Sequence, residues 1–222
     1  VAQKLVDEAP RLASAWCVTF GGMTAALAAA VVGGVLLAVL FTSSRWAELS
    51  FFPFAVVLQV TPLVAIAPLL LLWLPENVTG VRLLCAWIVA FFPILANTAI
   101  GLRSVDPGLA SLMRLYHASR WQRFRLLLVP SALPYFLGGL RVATNLALVG
   151  AVVAEFVTGA GTQPEGLATI VFEAQYLTDA PLLMAALGLI SATGIAMYFA
   201  THLLSGWLLG GWHESRVGAN DR

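Results

Sequence analysis

Arginine is the side chain suited to charge-assisted hydrogen bonds with carboxylates, carbonyls and phosphates. In the stretch 103–125, Arg103, Arg114, Arg120, Arg123 and Arg125 stand against a single acid, Asp106. They are interleaved with Leu109, Leu112, Met113, Leu115, Tyr116, Trp121 and Phe124. Asp106 before Pro107 is a helix start, an acid to cap and a proline for the first turn. Leu109, Leu112, Met113 and Tyr116 then recur at helical spacing. Ser119 can cap a second short helix with Trp121, Phe124 and Leu128 on one face, which Pro130 and Pro134 are expected to end. Two short amphipathic helices at an angle form a docking knob for a groove on another protein. The same pattern suits helices lying on a membrane, their arginines against anionic headgroups. Arg125, nearest the next apolar run, fits that second reading.

A second group of polar residues sits inside apolar runs: Gln59, Thr61, Asn97, Thr98, Thr144, Asn145 and Glu155. Such residues are costly in lipid and face protein or water. Gln59 and Asn97, beside Pro62 and Pro93, are read as lining a central pathway, with Asn145 as a further candidate. Interhelical hydrogen bonding is the other reading, above all for Asn97 and Asn145. Glu155 is expected to close an outer gate or pair with a neighbouring cation, since a carboxylate repels an anionic solute. Glu165, Glu173 and Asp179 lie in a more polar interval, 158–180. They suit docking of an external protein, or are ordinary solvated acids. No nucleophile–base pair, metal cluster or carboxylate dyad points to an enzyme. No Gly-x-x-x-x-Gly-Lys-Ser/Thr phosphate loop occurs, so no cofactor or metal is expected on this chain. The lone His202 and His213 read as structural. A net charge of +1 excludes nucleic-acid binding by bulk charge.

The elements that must position these residues are membrane helices. Of the 222 residues, 60% are apolar and 10% charged, against about 25% charged in soluble domains. A bilayer core takes about 20 apolar helical residues. Runs of that kind occupy 16–40, 51–74, 83–100, 134–157 and 181–209, so five membrane helices are expected in one domain spanning 1–222. The second contains Pro53, Pro62 and Pro68 and is expected to be kinked or broken. The first is rich in small residues, among them Gly21, Gly22, Ala26, Gly33 and Gly34, which let a neighbouring helix approach closely. The arginine-rich loop is cytoplasmic by the positive-inside rule. Alternation then puts 41–50 (Arg45) and the tail (Arg216, Arg222) inside, and 1–15, 75–82 and 158–180 outside. The outer set holds Lys4, Arg11 and Arg82 with Asp7, Glu8, Glu76, Glu165, Glu173 and Asp179. The amino terminus falls outside, so a sixth helix is expected upstream.

The loop also resembles the signature cytoplasmic loop of bacterial ABC-importer permeases, the binding-protein-dependent transport family. That loop has a Glu-Ala-Ala triplet, a Gly four residues on, and an Ile-x-Leu-Pro ending after nine more. Here Ser111-Leu112-Met113 stands at the triplet, His117 at the Gly, and Leu127-Leu128-Val129-Pro130 at the ending, with the spacing kept. Other words resemble the nitrate/sulfonate/taurine-type branch: Ser104-Val105-Asp106-Pro107, Ala118-Ser119-Arg120-Trp121-Gln122, Pro130-Ser131-Ala132-Leu133-Pro134-Tyr135, Gly139-Leu140-Arg141 and Val153-Ala154-Glu155. Gln59-Val60-Thr61-Pro62 and Ala65-Ile66-Ala67-Pro68-Leu69 match that branch upstream. The departures are the triplet's missing acid and alanines, and His117 for Gly. If the Gly serves a positive-φ turn, His can adopt it at modest cost.

The resemblance implies an all-α, type I ABC-importer permease in the bacterial inner membrane. A second copy of the chain, two ATPase subunits that hold the ATP and Mg, and an external substrate-binding protein are its expected partners. It also implies that the coupling residues are Asp106, Ser111, Arg114, Leu115, Tyr116, His117, Ala118, Ser119, Arg120, Trp121, Arg123 and Pro130. Leu115, Tyr116 and Trp121 would be the packed anchor, and Arg120 and Arg123 the hydrogen-bond donors. The solute is expected to be a small organic molecule: a sulfonate, a thiamine precursor, riboflavin or an aromatic compound. An ion-gradient transporter or channel is the alternative, but the spans hold no relay of acids or histidines for it.

Overall fold

A computed structural model describes residues 7–159 and 164–209. Lys4, His213, Arg216 and Arg222, assigned above by charge or as structural, lie outside the described residues. Those residues are helical almost throughout. In chain order they form α1 (Ala9–Ser43), α2 (Arg45–Val60), α3 (Leu63–Trp73), α4 (Val78–Arg103), α5 (Pro107–Leu115), α6 (Arg120–Arg123), a π-turn (Phe124–Leu128), α7 (Val129–Thr158), α8 (Leu167–Tyr176) and α9 (Ala180–Leu209). Among the described residues, four stretches are long and apolar enough to cross a membrane: Ala9–Ser43, Val78–Arg103, Arg120–Thr158 and Ala180–Leu209; α2 with α3 makes a fifth if that bent pair is one span.

The proline-rich run is broken, as expected. α2 and α3 meet at 103° across Thr61 and Pro62, because Pro62 lacks an N–H and holds the preceding residue extended. Ala55 of α2 packs with Phe41, Leu95 and Leu102. Ala67 and Leu70 of α3 pack with Val81, Cys85 and Ala154 at the opposite end of α4. The bent pair therefore joins the two ends of the bundle.

Two expectations are corrected. The outer segment 1–15 is helical from Ala9 onward, since Leu12 and Ala15 are buried against Leu167, Ile170 and Ala185. Pro130 and Pro134 do not end a short helix: the chain is helical from Arg120 to Thr158. The π-turn just before Pro130 widens the helix where proline's missing N–H and ring would otherwise break it.

Small residues set the packing. The central cluster is Met23, Ala26, Ala30, Ala86, Ala90, Ile94, Ala143, Ala147, Leu148 and Ala151. A Cβ on Gly139 would lie 2.7 Å from the Pro93 carbonyl oxygen, and one on Gly34 2.8 Å from Ile94. Close backbone approach supplies the dispersion contacts that hold helices together where lipid removes the hydrophobic drive. A Cβ on Gly21 or Gly22, from the small-residue run of α1, would meet no described atom within 4 Å.

Polar contacts pin the two ends. Arg103 pairs with Glu48 at 2.7 Å, so the α1–α2 turn and the start of the arginine-rich loop share one end. At the other, Arg11 pairs with Glu165 and Glu173, and Arg82 donates to Thr158 Oγ1 and the Pro164 carbonyl. These are the two loop sets that the charge pattern separates.

Candidate functional site

At the first end, α5 and α6 are built almost entirely by local hydrogen bonds. Asp106 Oδ1 accepts from the Leu109 N–H at 2.9 Å, with Pro107 at the first helical position. The helix closes with the His117 N–H on Arg114 O and the Ala118 N–H on Met113 O, both 3.0 Å. This paired closure requires a left-handed residue between them, and His117 takes it at φ +51°. Ser119 and Gln122 then form a reciprocal capping box, which satisfies two first-turn donors at once. Arg114 reaches Ser111 Oγ at 3.1 Å, and Trp121 stacks on Phe124.

No residue of α5 or α6 is buried. Leu115 is 77% exposed, Tyr116 78% and Trp121 66%. Arg114, Arg120 and Arg123 are exposed beside them. A short unit this well capped and this apolar outside is a preformed, exposed knob. Pro130 lies about two turns further on, inside the continuous helix.

The pathway candidates do not converge on one point. Gln59, on the last turn of α2, lines a cleft of about 250 Å³ with Leu58, Ile88, Val89, Phe92, Pro93 and Leu146. Pro62 caps α3 at the adjacent bend. Asn145, next to Leu146, is exposed on α7. Asn97 instead turns back on its own helix and donates to the Pro93 carbonyl at 2.9 Å. Glu155 lies away from the cleft, at the end of the bundle that carries α8, 2% exposed. It accepts from Thr19 Oγ1 at 2.8 Å and from the Ala168 N–H at 2.9 Å.

Glu165, Glu173 and Asp179 each have a contact within the chain. Arg11 spans Glu165 at 2.6 Å and Glu173. Asp179 Oδ1 accepts from the Leu182 N–H at 3.1 Å and caps α9. Thr19 and Arg82, which line one small pocket with Glu155, and Gly166, which its carboxylate abuts, were not singled out as its neighbours by the sequence. A signal existed for one of them: Gly166 precedes an apolar helix and has no side chain to cap it, so its cap must come from elsewhere.

The sequence pattern of the family described as "Binding-protein-dependent transport system inner membrane component" matches residues 30–212. The riboflavin transport system permease protein RibX of Chloroflexus aurantiacus is 37% identical over 77% of this chain, which spans 62% of that protein. The formylaminopyrimidine transport permease protein ThiX of Halalkalibacterium halodurans is 34% identical over 82% of this chain and 71% of its own length. In structure, the chain resembles one from the crystal structure of an amino acid ABC transporter with histidines. That match has a TM-score of 0.71 at 18% identity and covers 93% of this chain and 96% of the other.

Proposed function

The chain belongs to the family of inner membrane components of binding-protein-dependent transport systems, and from that premise we propose that it is the membrane subunit of an ATP-driven importer whose 104–130 loop takes the thrust of a separate ATPase. The observation that carries this reading is the capped knob of α5 and α6, in which no residue is buried, with Leu115, Tyr116 and Trp121 exposed beside Arg120 and Arg123. A groove on the ATPase buries the aromatic and aliphatic anchors, and the arginines donate to its carboxylates or carbonyls. Because Arg120 opens a helix that runs unbroken to Thr158, a push on the knob is carried along α7 to the outer end. Alternating access then follows from two arrangements of the bundle that nucleotide binding and release favour in turn.

The knob faces the cytoplasm, where its arginines obey the positive-inside rule, and the end carrying α8 faces out. Two copies of the chain pair around the pathway, each meeting one ATPase subunit that binds the ATP and Mg, and an external binding protein delivers solute at the α8 end. Glu165, Glu173 and Asp179 present acids there, and Glu173 and Glu165 share one arginine, which leaves net negative charge for a basic partner surface. Gln59, Pro62 and Asn145 border the pathway. The solute is a small organic molecule: two similar permeases are named for riboflavin and formylaminopyrimidine, and the cleft beside Gln59 is apolar with an amide on its wall.

Co-expression with an ATPase encoded beside it tests the reading. Stoichiometric co-purification and ATP-dependent solute uptake in proteoliposomes are expected. Uptake by the chain alone, driven by a proton gradient, would overturn it.

A further inference from the structure

A helix that begins in a buried place needs partners for its first free N–H groups. α8 begins at Gly166 without a side-chain cap of its own, yet Leu167 to Val171 are buried. Two other helices supply what is missing. Glu155 of α7 accepts from the Ala168 N–H at 2.9 Å, and Thr19 of α1 accepts from the Leu167 N–H at 2.9 Å. Thr19 in turn donates to Glu155 at 2.8 Å, so one carboxylate and one hydroxyl bind three helices at a single point. A carboxylate also suits the positive end of a helix. A Cβ on Gly166 would sit 2.3 Å from the Glu155 carboxyl carbon, so glycine is the residue that lets the carboxylate in. Arg11 ties α1 to Glu165 and Glu173 a short way off, but that tie is part-exposed and contributes less.

We infer that Glu155, Thr19 and Gly166 form a latch that fastens the outer helix α8 to α1 and α7, with Glu155 as its positioning residue. α8 then moves with the outer ends of those two helices and does not swing as a separate lid. The consequence for transport rests on the permease reading, whereas the latch itself is a property of this chain that can be measured without transport.

The test is hydrogen exchange on the full chain in nanodiscs, followed by peptide. Glu155→Ala, Thr19→Val and Gly166→Ala are each expected to speed exchange at Leu167 and Ala168 by more than tenfold, with α4 and α5 unchanged. Glu155→Gln keeps an acceptor for Ala168 without the charge and is expected to recover part of the protection. Arg11→Ala is expected to change it by less than threefold. Unchanged protection in Glu155→Ala and Thr19→Val would overturn the latch. So would a rise spread evenly over every helix, which would make Glu155 a general support. If Glu155→Ala does not fold, Thr19→Val and Gly166→Ala decide the matter by the same readout. Failure of the unmodified chain to bind an ATPase would count against the permease reading and leave this result standing.

Discussion

His117 holds the angle between the two parts of the knob, and the cost of its backbone can be read directly. At φ +51° most L-residues pay about 1–2 kcal/mol relative to the right-handed form. Histidine is among the residues that tolerate this region, and a β-branched residue is a true outlier there. The turn is held by the His117 N–H on Arg114 O and the Ala118 N–H on Met113 O, so losing the left-handed residue releases both bonds and the entry to Ser119. His117→Gly is therefore expected to keep or slightly tighten binding to the ATPase, since glycine takes the conformation freely. His117→Val is expected to cost about 1–2 kcal/mol more than glycine in the population of the docked geometry, or roughly a five- to thirtyfold loss in affinity at 1.4 kcal/mol per decade. His117→Asn should fall near the native value, as asparagine also accepts the region. Affinity of ATPase for the nanodisc-embedded variants, with ATP-driven uptake alongside, gives the ordering. A glycine variant as weak as the valine variant would show that the imidazole makes a specific contact and that the turn is secondary, which refutes the argument.

Adjacent glycines on α7 give an internally controlled test of packing. A Cβ on Gly138 meets nothing within 4 Å, while one on Gly139 would meet Pro93 O at 2.7 Å. Gly138→Ala should be neutral or stabilising by up to about 1 kcal/mol, and Gly139→Ala destabilising by about 1–3 kcal/mol; thermal unfolding in detergent should separate their midpoints by several degrees, and coincident midpoints would disprove the close contact. Arg120→Glu should leave membrane insertion and the midpoint intact but reduce ATPase co-purification at least tenfold, because the exposed cation becomes a like charge for the partner's acids. Gln59→Leu should preserve ATPase binding and fold while changing the solute dependence of uptake, and unaltered uptake kinetics would remove Gln59 from the pathway.

Much of the knob at 106–123 was legible because its bonds are local. Asp106 with Leu109 and Ser119 with Gln122 are three residues apart, and residue type and spacing alone announce them. The spans and the two sets of loops were legible for a similar reason, since hydropathy and arginine placement act along the chain. The extension of α1 back to Ala9 was not, because the force holding it is burial of Leu12 and Ala15 against residues more than 150 positions away. Nor was the passage of the helix through Pro130, which depends on a π-turn that no composition signals.

What this sequence determined unaided is where its apolar runs lie, that the proline-rich one is kinked or broken, which loops share an end, and which residues cap the two helices of the knob. Which polar side chains meet inside the bundle was decided by the tertiary structure alone. Helices that are apolar all round carry no periodic face to say which way they turn. Their rotation is set by where glycines such as Gly139 and Gly34 let a neighbour close in. Thr19 reaches Glu155, and Arg11 reaches Glu165, only once that packing has placed them.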